Sequence, residues 1–143
     1  MPTTPGPSFN SDYLTVAYRP DLRLLTLRWL RDVTFSELQA GFQAAREAAQ
    51  QVGATRWLID VRRRLEMDVI PSIWVANELL PVVAAELPST LQVAYLLAPA
   101  RHDAIRTLPE LKNAVQQAQA PAQPYRLQVF VDEGEAVRWV CSL

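Results

Sequence analysis

Residues 56–74 read RWLIDVRRRLEMDVIPSIW. An apolar run, Trp57-Leu58-Ile59, ends in Asp60, and Gly53 lies just upstream. A short apolar run bounded by turn residues and charge predicts a central strand covered on both faces. Arg62, Arg63 and Arg64 follow as a charged loop. Then Ile70 opens a second apolar stretch in which Pro71 suits the first turn of a helix, where the missing N–H is no loss. A strand, a charged loop and a helix in succession predict an α/β domain with crossover connections.

The flanks extend that pattern. Upstream, YLTVAYRPDLRLLTLRWL (residues 13–30) holds two β-rich runs around Arg19-Pro20-Asp21, a turn triplet, and predicts a hairpin. In its second run Leu25, Leu27 and Trp29 alternate with Leu22, Leu24 and Thr26, so both faces should find cover. TFSELQAGFQAAREAAQQVG (34–53) predicts a helix. Thr34 with Glu37 is a capping-box pair, Leu38, Phe42, Ala45, Ala49 and Val52 make one apolar stripe, and Gly53 suits a left-handed C-terminal cap. Downstream, LQVAYLLA (91–98) and RLQVFV (126–131) predict strands. Residues 101–120 predict a helix in their second half, from about Pro109, and Asp132 with Glu135 predicts a cap on a final short helix. The expected order is β-β-α-β-α-β-α-β-α, a single α/β domain over residues 12–143 with a mixed, mostly parallel sheet and helices packed on it. Residues 1–11, rich in Pro, Gly, Ser and Thr, are expected to form a flexible tail.

Bulk properties narrow the function. The chain has 143 residues, half of them apolar, and a net charge of -1. That balance suits one folded core and speaks against a general nucleic-acid binder, which needs a dense basic surface. No apolar run reaches the length of a membrane span, and the N-terminus lacks the features of a signal peptide, so no membrane insertion and a cytoplasmic location are expected. The single cysteine, Cys141, can make no internal disulfide, and the single histidine, His102, has no partner for a metal site. There is no glycine-rich phosphate loop, no nucleophile elbow and no defensible carboxylate pair, so no cofactor and no enzymatic activity are expected.

Two features invite a functional reading. The first is the corner itself: Asp60, Arg62, Arg63, Arg64 and the helix-start hydroxyl of Ser72 could receive an anion or an acidic partner. The plain alternative is a solvated turn with local pairs to Glu66 and Asp68. The second is the helix IPSIWVANELLPVVAAEL (70–87), which is apolar nearly all round and broken by Pro81. Ile73 and Trp74, with Asn77 beside them, are candidates for contact with a protein partner, with a second copy in a homodimer, or with an apolar small molecule.

Certain local details also fit a known layout. The hairpin ending in LTLRWL, the strand WLIDVRR closing in Asp60, the proline-broken helix WVANELLP, VAYLLAP and the closing FVDEGEAVRWV give a chain that resembles the STAS superfold of sulfate-transporter and anti-sigma-antagonist (SpoIIAA-like) domains. It looks most like the small stand-alone bacterial members. The resemblance spans residues 13–143 and implies a non-enzymatic regulatory or protein-interaction module. In the anti-sigma antagonists the loop after the central strand begins with an Asp and carries a phosphorylatable Ser at the start of the next helix. Here Asp60 is followed by Val61-Arg62-Arg63-Arg64, and the nearest helix-start hydroxyl is Ser72. The chain therefore has three candidate functions. The first is an interaction module. The second is a small-molecule or lipid binder with a groove near Pro81 and Arg62–Arg64 at its mouth. The third is an anti-sigma antagonist phosphorylated on Ser72.

Overall fold

The hairpin and the apolar runs after it assemble into one six-stranded sheet whose spatial order is the chain order. The computed structural model describes residues 7–66 and 69–142. Strands β1 (Ser8–Asn10), β2 (Leu14–Arg19) and β3 (Leu24–Trp29) run antiparallel. Strands β4 (Arg56–Asp60), β5 (Leu91–Leu96) and β6 (Tyr125–Phe130) add in parallel from β3 outward. Between them run α1 (Phe35–Val52), a helical segment Val69–Ala85, α4 (Pro99–Thr107) and α5 (Pro109–Ala118), and α6 (Glu133–Cys141) closes the chain.

Crossovers of one hand between successive parallel strands must all lie on one face. The larger core accordingly joins the sheet to α1, to the segment 69–85 and to α5, with Trp29, Phe42 and Trp57 as its largest fully buried side chains. Helix α6 covers the opposite face. There Ala136 and Val140 pack on Leu24, Leu58, Ala94 and Leu96. β3 and β4 thus carry apolar residues on both faces, as their alternation predicts.

Helix α1 starts as a capping box. Thr34 Oγ1 accepts from the Glu37 N–H at 3.1 Å, and Glu37 Oε1 accepts from the Thr34 N–H at 2.9 Å. It ends at Gly53 in the left-handed region, φ 65°. Gly41 answers a different need: a Cβ there would stand 2.6 Å from Trp29 Cη2 and 2.8 Å from Leu14 Cδ2, so the glycine lets the helix sit directly on the tryptophan. Val52, expected in the buried stripe, is exposed. The Arg31 guanidinium, 2.8 Å from Glu37, holds the Glu37 carboxyl down to about 2, with help from the Thr34 N–H. A carboxyl lowered in the folded state stabilises it above the unfolded-state value, and that support fades as pH falls through the folded one. Glu37 is expected to titrate near 2 by NMR, and Glu37→Gln is expected to flatten the acid limb of stability against pH.

Three expectations need correction. Residues 8–10, expected in the loose tail, form an edge strand on β2, while the part of that tail at residues 1–6 lies outside the described residues. Residues 99–107 are helical, where only the second half of that region was expected to be; Pro99 starts the helix and the extended Leu108 separates α4 from α5. Pro81 does not split its helix, which runs unbroken from Val69 to Ala85. Instead α2 (Val69–Trp74) passes through a π-turn, Val75–Leu79, into α3 (Leu80–Ala85).

The π-turn leaves one carbonyl short of a helical donor. The Leu80 N–H goes to the Val75 carbonyl, one residue further back than in an α-helix. In that register the Ala76 carbonyl would take its bond from residue 81, a proline with no N–H to give. The Tyr125 hydroxyl, from β6, donates to Ala76 O at 2.7 Å and fills the gap. Tyr125→Phe keeps the packing and leaves this buried carbonyl unbonded. It is expected to lower stability by about 1–3 kcal/mol, measured by urea unfolding.

Candidate functional site

β4 ends by burying Asp60, 6% exposed. The parallel register sets Arg28 of β3 beside it, and Arg28 Nη1 donates to Asp60 Oδ2 at 2.9 Å. Arg62 folds back over the same carboxylate: its backbone N–H and its Nε both reach Oδ1 at 3.0 Å, and Nη2 reaches Oδ2 at 2.9 Å. Glu133, at the start of α6, receives Arg28 at 2.6 Å and Arg62 at 3.2 Å. Burial pushes the Asp60 carboxyl up, but the Arg62 and Arg28 hydrogen bonds outweigh it and hold it below the usual aspartate range. Two carboxylates and two guanidiniums thus satisfy one another. Arg62, a candidate for meeting a ligand, is occupied within the protein, and Arg63 is exposed beyond it.

Arg64 does the opposite. A turn closed by its N–H on the Val61 carbonyl, 3.0 Å, swings the side chain inward until only 8% of the residue is exposed. Its guanidinium lies 5.9 Å from the centre of the Trp29 ring, and its Nε has no hydrogen-bond partner among the described residues. Arg101, on the first turn of α4, is as deeply buried and donates through Nη1 to the Glu66 carbonyl at 2.7 Å. Burial pulls its guanidinium down, and nearby Arg64 adds to this, while Tyr95 and Asp32 act against it. The Tyr95 hydroxyl is raised by burial and drawn back by both arginines. Among the described residues neither Arg64 nor Arg101 forms an ion pair. Asp32, the nearby acid, is engaged by the Leu65 and Glu66 N–H groups at 2.6 and 3.0 Å.

These groups border an apolar cavity of about 70 Å³. Val75, Ala76 and Leu80 form the wall on the helical segment, Leu111, Ala114 and Ala118 that on α5, and Leu127 and Val129 the floor on β6. Arg64, Tyr95 and Arg101 all lie toward the carboxyl ends of the parallel strands, where open α/β sheets receive ligands. A wider hollow of about 550 Å³ at the opposite rim is lined by loop residues such as Gly53, Pro88 and Ser89, without a buried charge.

The sequence candidates therefore separate. Arg64 and Ser72 line the cavity. Asp60 and Arg62 form the ion cluster beside it. Ile73 faces outward, and Trp74 packs half-buried against Phe35 and Phe42 at 5.4 and 6.2 Å between ring centres. Asn77 is a surface link, donating to Gln117 Oε1 at 2.9 Å and accepting from Gln123 Nε2 at 3.1 Å. The cavity lies on the inner face of the segment, lined as far as Leu80 next to Pro81, and Arg64 alone of the arginine run reaches it. Tyr95 and Arg101 carried no sequence signal, since one is a tyrosine within an apolar strand and the other an ordinary basic residue after a proline.

Among the described residues no cluster of histidine, cysteine and acidic side chains could hold a metal ion, and no helix is long and apolar enough to cross a membrane. No protein-family model, curated protein or solved structure matches the chain.

Proposed function

We propose that this chain is a non-enzymatic regulatory module, STAS-like in layout, that binds a small apolar molecule and reports it through the helical segment 69–85. The observation that carries this reading is the double role of that segment. Its inner face, Val75, Ala76 and Leu80, walls the cavity, while Ile70 is 71% exposed and Val82 46% exposed on its outer side. A π-turn in the wall of a cavity fits a functional role, because such turns recur at functional sites. Support for the STAS-like layout comes from the leading hairpin, the parallel strands after it and the helix that covers the far face.

Native mass spectrometry of freshly purified protein beside a denatured aliquot tests the reading. Extra mass that denaturation releases, together with a melting temperature that falls when the mass is removed, is the expected result. A bare chain whose melting temperature does not change on extraction would overturn it.

A protein partner, or a second copy of the chain, is favoured by one further observation. Phe35 (41% exposed) meets Trp74 edge-on, one residue from Ile73 (39% exposed), which leaves apolar surface on neighbouring elements. Ile73→Glu is the test for that reading, since it alters the exposed surface and spares the packed Trp74. A doubled native mass that Ile73→Glu halves would support it. Phosphorylation on Ser72 has less behind it, because Ser72 is partly buried in the cavity wall.

A further inference from the structure

We infer that the ligand is a compact monocarboxylic acid whose carboxylate is received by Arg64 and Arg101 beside Tyr95, with its short aliphatic or aryl body against Val75, Leu80, Leu111 and Ala114. The inference rests on the small-molecule reading above and adds the charge and size of the ligand.

An unpaired guanidinium taken out of water is costly, and proteins seldom bury one without a carboxylate or a full set of acceptors. Here two line one cavity, each 8% exposed, and among the described residues neither has a carboxylate partner. Among the described residues Arg64 Nε is unbonded, Arg101 has the Glu66 carbonyl, and Asp32 Oδ1 is taken by the Leu65 and Glu66 N–H groups. Among the described residues Arg62 has an internal carboxylate, that of Asp60, and Arg64 has none. A guanidinium presents a planar fork of donors, which matches the two oxygens of a carboxylate. A phosphate monoester has more oxygens to satisfy and suits a cradle of backbone N–H groups. This cavity's walls are aliphatic. Its volume, about 70 Å³, is too small to enclose a long acyl tail.

The test is calorimetry and thermal melting on the extracted full chain, with hexanoate and 3-phenylpropionate as probes. Their neutral amides and 2-phenylethylphosphonate serve as comparisons. The acids are expected to bind and raise the melting temperature, with the amides weaker by roughly ten- to a hundredfold. Arg64→Met and Arg101→Met are each expected to lose acid binding by a similar factor while melting no lower than the parent, because a buried unpaired charge has been removed. Ala114→Leu, which adds bulk to the α5 wall and keeps both arginines, is expected to block the acids as well. Amides that bind as tightly as the acids would overturn the carboxylate and leave the small-molecule reading standing. A phosphonate that outcompetes both acids would do the same. Acid binding that survives both arginine variants would remove the site. No binding by any probe would overturn this inference, whereas loss of the small-molecule reading would additionally require the bare native mass described above.

Discussion

Phe42→Ala is expected to cost about 3–5 kcal/mol of folding free energy, the range for emptying a fully buried phenylalanine site. Phe42 is completely buried, and its ring lies 5.3 Å from that of Trp29 and 6.2 Å from that of Trp74. It therefore joins three elements: α1, the hairpin strand β3 and the helical segment 69–85. Collapse into the hole is restricted, because Gly41 already brings α1 against Trp29. The first contact released on the outer side is Trp74, so the damage extends to the segment that walls the cavity. Urea unfolding gives the energy, and hydrogen exchange at Val75–Leu80 shows whether the segment loosens before the rest. Phe35→Ala is the control. Phe35 also touches Trp74 but is 41% exposed, and its loss is expected to cost about 1 kcal/mol or less.

What could be read from the chain alone was whatever its local neighbours decide. The Thr34–Glu37 capping box, the left-handed Gly53 and the turn at Pro20-Asp21 each depend on residues within one turn, and each is found. The double-sided strands were legible because their apolar runs leave no polar face. The arginine run was not. Three identical side chains in a row go to three destinations: Arg62 to Asp60, Arg63 to solvent, Arg64 to the cavity. What separates them is the Val61–Arg64 turn and the N–H of Val61 on the Leu96 carbonyl, a contact with a strand not yet reached in the sequence. The π-turn was hidden for the same reason. A proline in a helix advertises a missing donor, but Tyr125, which compensates for it, lies far along the chain on β6. The β1 strand has no apolar pattern of its own and forms because β2 offers it an edge. The cavity combines all of these effects, so only Arg64 and Ser72 of its polar members were candidates beforehand.

Asp60→Asn is expected to destabilise the chain by about 2–4 kcal/mol, because it strips the charge from a nearly buried carboxylate that accepts four hydrogen bonds and points an amide at their donors. Glu133 limits the loss, since it still holds Arg28 and Arg62, both of which remain partly in water. The pH dependence separates this effect from simple packing. Asp60 has its carboxyl lowered in the folded state, so its contribution is present above the ordinary aspartate value and disappears as pH falls through the lowered one. The stability gap between parent and variant is therefore expected to be wide at neutral pH and to close on acidification, whereas a packing defect would keep it constant. The same substitution also bears on binding. Arg62 is pinned by its own N–H to Asp60, and the turn that begins there delivers Arg64 to the cavity. Freed from that anchor, the loop samples other conformations, and the competent one is populated less. Affinity for a carboxylic acid should then fall by the same fraction in a residue that never touches the ligand. A variant that keeps full affinity despite losing stability would mean that the turn holds its shape without Asp60, and that Arg64 is positioned by Trp29 and the Val61 carbonyl alone.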